Sequence, residues 1–467
     1  MVLIPCPFLY IVERRVPMFF GNFNFDNKVA IITKNAQYTY EQLQQLTKEY
    51  VLDSTKKELV LLLCENNIEV ISAYIAALQA GHAVMLMGAN TNKQLLDSIV
   101  TTYQPKWIIG SMSFVDYVQV GNIQERMGSA SYVIHPDLGL LLSTSGTTGS
   151  QKFVRLSYAN LQANAESIAQ YLQIDHNERA ILNLPLSYSY GLSILNSHLQ
   201  VGATVLLTDE SVMAKPFWKF IEEYQATSLA GLPFTYQMLR RIGFLKMELP
   251  YLKTLTQAGG HLDERLVKLF GEYAEQHNKK FYIMYGQTEA APRMSYIPAD
   301  QLLSKAGSIG IAIPGGQFEL ASETNELIYK GANVMLGYAE SLDDLAKGDE
   351  QNGILYTGDV AEVDADGYYT ITGRMKRFVK LFGLRINLDD VERKLVSIVE
   401  QSVACTGNDD KLLVVIEAES AVADVKQCLE VMYKLHHSAY KIIFVDAIPR
   451  MENGKIDYKL LGGKSGV

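Results

Sequence analysis

The apolar run Leu138-Gly139-Leu140-Leu141-Leu142 leads directly into Ser143-Thr144-Ser145-Gly146-Thr147-Thr148-Gly149-Ser150-Gln151-Lys152. The run reads as a strand. The hydroxyl-rich residues after it, set between glycines, offer backbone N–H and O–H donors to polyphosphate oxygens, and Lys152 adds charge. No G-x-x-x-x-G-K-[ST] can be written over these residues, so the loop is not of the Walker kind. Taken alone, a Ser/Thr/Gly loop is more often a flexible turn. The strand before it and the lysine after it favour phosphate binding.

Outward from this loop, short β-rich runs alternate with amphipathic helices. "KVAIIT" reads as a strand, and "YTYEQLQQLTKEYV" as a helix with Thr39 at its N-cap. "ELVLLLCEN" is a buried strand, and "IEVISAYIAALQAG" a helix closed by Gly81. "HAVMLMG", "KWIIG", "ATVLLT", "TSLAGLP", "LKTLTQAG" and "KFYIMYG" continue the strands. This alternation predicts an α/β fold: mostly parallel sheets flanked by helices. After Gly316 the rhythm changes to antiparallel strands with an Asp366-Gly367 hairpin turn. A basic knot, Arg374 to Arg377, then precedes about 90 residues that alternate again, enough for a small α/β domain. The expected division is a large domain over 1–375 and a small, mobile C-terminal domain over 376–467.

Composition narrows the function. The 467 residues carry a net charge of −9, which argues against a nucleic-acid partner. Four scattered cysteines without C-x-x-C spacing read as free thiols in a reducing compartment. The eight histidines form no H-E-x-x-H pattern, so no structural metal is expected, although nucleotide-bound Mg²⁺ remains open. Met1 to Val12 is apolar, but Pro5, Pro7 and the following Glu13-Arg14-Arg15 do not make a signal peptide. No stretch reaches the ~18 apolar residues of a spanning helix. The expectation is a cytoplasmic protein with no integral membrane segment and an apolar leader, Met18 being an alternative start.

The loop and seven further segments carry a resemblance. "STSGTTGSQK", "AGGHLDERL", "YGQTE" (Tyr285 to Glu289), "GSIGIAIPG", "NELIYKGANVMLGY", "YTGD" (Tyr356 to Asp359), "GRMKRFVKLFGLRINLDDVE" and "PRMENGKIDYKLL" occur in this order. Together they resemble the adenylate-forming superfamily: acyl-CoA synthetases, carrier-protein-loading adenylation domains and firefly-type luciferases. The resemblance covers roughly residues 25 to 462. It implies ATP-dependent activation of a carboxylic acid to an acyl adenylate, with pyrophosphate released. Acyl transfer to the phosphopantetheine thiol of coenzyme A, or of a separate acyl carrier protein, would follow.

By the same resemblance Thr144, Ser145, Gly146, Thr147, Thr148, Gly149 and Lys152 hold the β- and γ-phosphates of ATP. Gly259, Gly260 and His261 form the adenine-site loop beside Tyr285 and Gly286. Thr288 lies near the α-phosphate and Glu289 is the Mg²⁺ ligand, a usual setting for this hard cation. Asp359 accepts the ribose hydroxyls and Arg374 adds a ribose or phosphate contact. Lys455 bridges the acid carboxylate and the α-phosphate, Lys376 is the hinge, and Gly383 faces the pantetheine arm in a second pose. Read without the family, Glu289 and Asp359 are turn acids, Gly383 a strand-to-turn glycine and Lys455 a solvated tail lysine.

Two departures from the family pattern matter. Phe153 follows Lys152 where a glycine is usual. Amino-acid-activating relatives carry an aspartate at the position of Ser189, and a neutral serine cannot pair with a buried α-ammonium. Candidate pocket residues are Tyr188, Ser189, Gly231, Leu232, Ala258, Gly259 and Met284, with Tyr190 and Gly191 beside them. Arg293 either meets a second polar group on the acid or forms a surface salt bridge. Lys376, Arg377, Lys380 and Arg385 could meet the phosphates of coenzyme A or an acidic carrier. The alternative from another class is a non-catalytic nucleotide- or acyl-adenylate-binding protein on the same scaffold.

Overall fold

A strand that is apolar at every position must be covered on both faces, and Leu59–Cys64 is buried along its whole length. The computed structural model describes residues 25, 27–128, 132–143, 152–375, 377–381, 384–399, 402–408, 411–433, 435–451, 455–458 and 460–461. It places this strand inside an eight-stranded sheet. There it runs parallel to Ala83–Gly88 and Trp107–Ile109, and Ala83–Gly88 runs parallel to Leu138–Ser143. Phe153–Ser157 and Gly337–Ala339 close one edge in antiparallel fashion.

A second, nine-stranded sheet has a parallel centre. Its order there is Lys280–Tyr285, Thr254–Gln257, Ser228–Gly231, Arg179–Leu182, Thr204–Leu207, Val29–Ile32. The two sheets share one core: Leu62, Leu86 and Leu140 of the first meet Leu182, Val205 and Ala230 of the second. Between them lie the helices Ile68–Gln79, Tyr158–Leu172 and Ser189–Gln200, which supply Ile71, Tyr74, Leu161, Ile168 and Leu195. Ser189–Gln200 is buried on nearly every face, as a helix walled in by two layers must be.

Local signals behave as read. Thr39 caps Tyr40–Thr47 with a capping box: its Oγ1 accepts from Gln42 N at 3.1 Å, and Gln42 Oε1 accepts from Thr39 N at 2.8 Å. Gly81 follows the helix Ile68–Gln79 with φ +79°. Gly316–Leu320, Glu326–Gly331, Ile354–Val363 and Tyr369–Arg374 form the expected antiparallel sheet.

Beyond residue 376 a separate apolar cluster forms. It gathers Val379, Ile386, Val391, Leu395, Cys405, Val414 and Leu429 around the helix Leu388–Val399 and the strands Val403–Asn408, Lys411–Ile416 and Tyr440–Phe444. Cys64, Cys405 and Cys428 are free and buried. Among the described residues no helix is long and apolar enough to cross a membrane. The leader through Met18, the loop residues Thr144 to Gly149, Lys376 and Gly383 lie outside the described residues.

Candidate active site

The strand Lys280–Tyr285 ends at Gly286, and no other residue fits there. A Cβ on Gly286 would sit 1.6 Å from the Pro292 carbonyl oxygen. This close approach lets the chain fold back through the turn Thr288–Ala290 to Arg293. Asn333 Nδ2 pins the return by donating to the carbonyls of Ala290 at 2.6 Å and Arg293 at 2.7 Å. Thr288 and Glu289 are thereby fixed at the sheet end, where open α/β sheets bind ligands.

Around them the candidate residues converge. Ser189 Oγ lies 3.3 Å from Thr288 Oγ1. Tyr338 donates its hydroxyl to Glu289 Oε1 at 3.0 Å, and Lys152 Nζ stands 3.6 Å over the Tyr338 ring. Lys152, Tyr338 and Glu289 so form one chain of contacts at the end from which the Ser/Thr/Gly loop departs.

Asp359 lies within the strand Ile354–Val363 and not in a turn, directly opposite Arg374. It is 2% exposed. A buried carboxylate needs partners, and it has three. Arg374 Nε is 3.0 Å from Oδ1, while Tyr285 Oη and Gln287 Nε2 (3.0 Å) donate to Oδ2. Burial first, and the Asp359 charge second, push the Tyr285 phenol well above its ordinary pKa, so it stays a donor.

The acid-side candidates form a tight wall. Tyr188 precedes the helix Ser189–Gln200, and a Cβ on Gly259 would meet Tyr188 Oη at 2.5 Å and Leu232 Cδ2 at 2.6 Å. Gly259 has φ +82°, so glycine is required there on two counts. A Cβ on Gly231 would lie 2.9 Å from the Tyr236 ring. Ala258 and Met284 are buried, and Met284 Sδ accepts from Tyr171 Oη at 3.0 Å. Burial pushes the Tyr188 phenol up to about 12 against the opposing charge of Arg293.

Lys455 comes from the far end of the chain. Its turn is anchored by Met451 N donating to Lys455 O at 2.8 Å and by an Arg450–Ile456 bridge. The side chain keeps solvent access, and its ammonium stands 5.8 Å over the Tyr188 ring. Crowding by protein lowers its pKa, Arg374 acts in the same sense, and Glu289 and Asp359 oppose them. The segment that carries it docks through guanidinium groups. Arg265 Nη2 donates to Val396 O at 3.0 Å, Arg393 Nη1 to Ile371 O at 2.7 Å, and Arg450 lies 5.1 Å over the Phe234 ring.

Two readings of the sequence are corrected. Arg293 is not a surface residue: it is 3% exposed, and its guanidinium lies 4.1 Å over the Tyr190 ring. The tight return at Gly286 turns it inward. Arg377 does not face outward for phosphates either. It pairs with Asp389 and Glu392 (2.9 Å) and donates to Cys405 O at 2.8 Å and Tyr458 Oη at 3.1 Å. Of the adenine-loop candidates, Gly260 O accepts from Gln257 Nε2 at 2.9 Å and His261 is exposed. Gln287 and Tyr338 were missed as contributors. Gln287 sits inside "YGQTE" and was open to notice, whereas the Tyr338–Glu289 contact joins residues 49 apart and leaves no local signal.

The fold is that of the adenylate-forming enzymes. The structure matches that of o-succinylbenzoate CoA synthetase from Bacillus subtilis in complex with its acyl-adenylate intermediate, with TM-score 0.74 and 20% identity, covering 93% of this chain and 95% of that one. The chain belongs to the AMP-binding enzyme family, whose model matches residues 22–339. It is 28% identical over 340 residues to 2-succinylbenzoate–CoA ligase of Staphylococcus aureus, covering 68% of this chain and 66% of that enzyme. It is 24% identical over 466 residues to D-alanine–D-alanyl carrier protein ligase of Staphylococcus epidermidis, covering 92% of this chain and 95% of that enzyme.

Proposed function

We propose that the protein is an AMP-forming acid–thiol ligase. A carboxylate oxygen of the acid attacks the α-phosphorus of ATP, the bond to pyrophosphate breaks, and an acyl adenylate remains. A phosphopantetheine thiol, of coenzyme A or of a separate carrier protein, then attacks the acyl carbon. The acyl–oxygen bond to AMP breaks, AMP leaves and the thiol proton passes to solvent.

The observation that carries this reading is Lys455, delivered from the C-terminal segment to the face of Tyr188 and within electrostatic reach of Glu289 and Asp359. Joining two anions needs a fixed positive charge where they meet, and Lys455 supplies it. Thr288 and Ser189 place hydroxyls beside that point, Asp359 and Arg374 hold the ribose, and Lys152 with the loop from Thr144 to Gly149 holds the outer phosphates. Glu289 fits the Mg²⁺ that accompanies the nucleotide and neutralises phosphate charge. No cluster of three His, Cys, Asp or Glu side chains forms a separate metal site among the described residues.

The chain divides at Lys376 in this proposal. Residues 1–375 keep the acid and nucleotide, while 376–467 turn about the hinge to withdraw Lys455 and bring Gly383 toward the thiol. The separate apolar core beyond residue 376 supports that division. Buried free thiols suit a reducing, cytoplasmic setting.

The test is acid-dependent ATP–pyrophosphate exchange over aryl, alkyl, hydroxy and amino acids, followed by thioester formation with coenzyme A or a phosphopantetheinylated carrier. Exchange with one acid class is expected, and α-amino acids are expected to fail. ATP binding without exchange on any acid would overturn the ligase and leave a nucleotide-binding protein.

A further inference from the structure

Arg293 is the feature that the ligase chemistry leaves unexplained. It is 3% exposed, and among the described residues no carboxylate lies within ion-pair distance of it and its Nε has no acceptor. A guanidinium withdrawn from water without a counter-charge is expensive, and stacking on Tyr190 offsets only part of that cost. Tyr190 in turn lies edge-on to Tyr188, with ring centroids 6.4 Å apart, and the Tyr171 hydroxyl is a neutral hydrogen-bond partner of the guanidinium, so Arg293 adjoins the acid-side wall with no counter-charge from it.

Behind Arg293 lies a small cavity of about 30 Å³, whose polar lining includes Ser193, Ser197, Thr254 and Thr256. Its other ionisable groups do not answer the charge. Glu178 is taken by Thr227 Oγ1 and faces Lys253 at 3.9 Å, and His198 is held down to about 4 by burial and so is neutral near pH 7. The cavity holds about one water and has no room for an alkyl chain.

We propose that Arg293 reads a second carboxylate on the acid, so that the substrate is a compact dicarboxylic acid. Its reacting carboxylate lies by Thr288 and Lys455, its body crosses the Tyr188 ring, and its distal carboxylate pairs with Arg293. This inference rests on the ligase reading. It explains why the wall carries an unpaired cation at one end and a neutral Ser189 at the other: the substrate brings a negative charge, not an ammonium.

The experiment is ATP–pyrophosphate exchange with wild-type protein on short diacids, each beside its distal methyl monoester and its monocarboxylic analogue of equal length. The expected preference for the diacid is about 10⁴-fold, the scale on which a site built for a polar group rejects an analogue lacking it. Arg293→Met should erase that preference while retaining exchange with the monoester. A merely structural arginine would lower both together. Arg293→Lys, which keeps the charge, should retain a preference for the diacid. Equal use of monoacids by the wild type overturns the inference but leaves the ligase standing, and this arm needs no variant to fold. A preference for diacids that survives Arg293→Met also overturns it. No exchange with any acid sinks the ligase reading and this inference with it.

Discussion

Asp359 and Lys455 face the same cleft but are held in opposite ways. Asp359 is buried in a paired strand, with Arg374, Tyr285 and Gln287 on its oxygens. Lys455 is exposed, carried by a short turn and aimed across a gap at an aromatic face. On the proposed function the contrast separates two tasks. A group that only has to recognise the nucleotide can be rigid from the start, because its contacts are the same before and after the chemistry. A group that acts in the transition state of one half-reaction is better mounted where it can leave for the next.

The comparison predicts that damage to the floor of the site, formed by Gly286, Thr288, Glu289 and Asp359, costs stability and binding together, whereas damage to the lysine costs rate. The largest effect should come from Gly286→Ala, because the new Cβ would sit 1.6 Å from a backbone oxygen. A loss of about 3 kcal/mol in denaturant unfolding is expected, with exchange activity abolished as Thr288 and Glu289 move. Lys455→Ala should lower exchange by at least ~100-fold, with no fall in melting temperature and no change in ATP affinity. A variant that exchanged normally would break the comparison.

Asp359→Asn should weaken nucleotide binding by roughly tenfold, the scale of one charge-assisted hydrogen bond, measured by calorimetric titration of ATP. It should lower stability as well, because Arg374 loses its counter-charge. The smallest effect is the pH profile. Lys455 loses its proton below the ordinary lysine value of 10.5, so exchange should fall as pH rises through that lowered value. The sign for stability is the reverse. In the window between the lowered value and 10.5 the unfolded chain binds more protons, so this group's contribution to stability increases with pH.

Most of the floor was legible in the sequence because it is built from local patterns. Fully apolar runs such as Leu59–Cys64 give central parallel strands, Thr39 gives a helix start, and Asp366-Gly367 gives a turn. "YGQTE" also delivered Tyr285, Thr288 and Glu289 to one place. What remained hidden depends on distant partners. Alternation alone does not say to which of two sheets a strand belongs. The hairpin of Tyr117–Val120 and Ile123–Arg126 went unread because each strand is only four residues long and the first is largely exposed. Arg293 and Arg377 look like surface residues until the return at Gly286 and the acids Asp389 and Glu392 are seen in space.

The docking of the C-terminal segment has one more consequence. Arg265 and Arg393 hold it by backbone carbonyls, and Arg450 by a single ring face. Bonds of this kind exchange for bonds to water when they part, and the apolar cluster of the segment is gathered from its own residues. Release of the segment should therefore carry a small heat-capacity change. The equilibrium between the two proposed poses should then shift with temperature along a nearly straight van 't Hoff line.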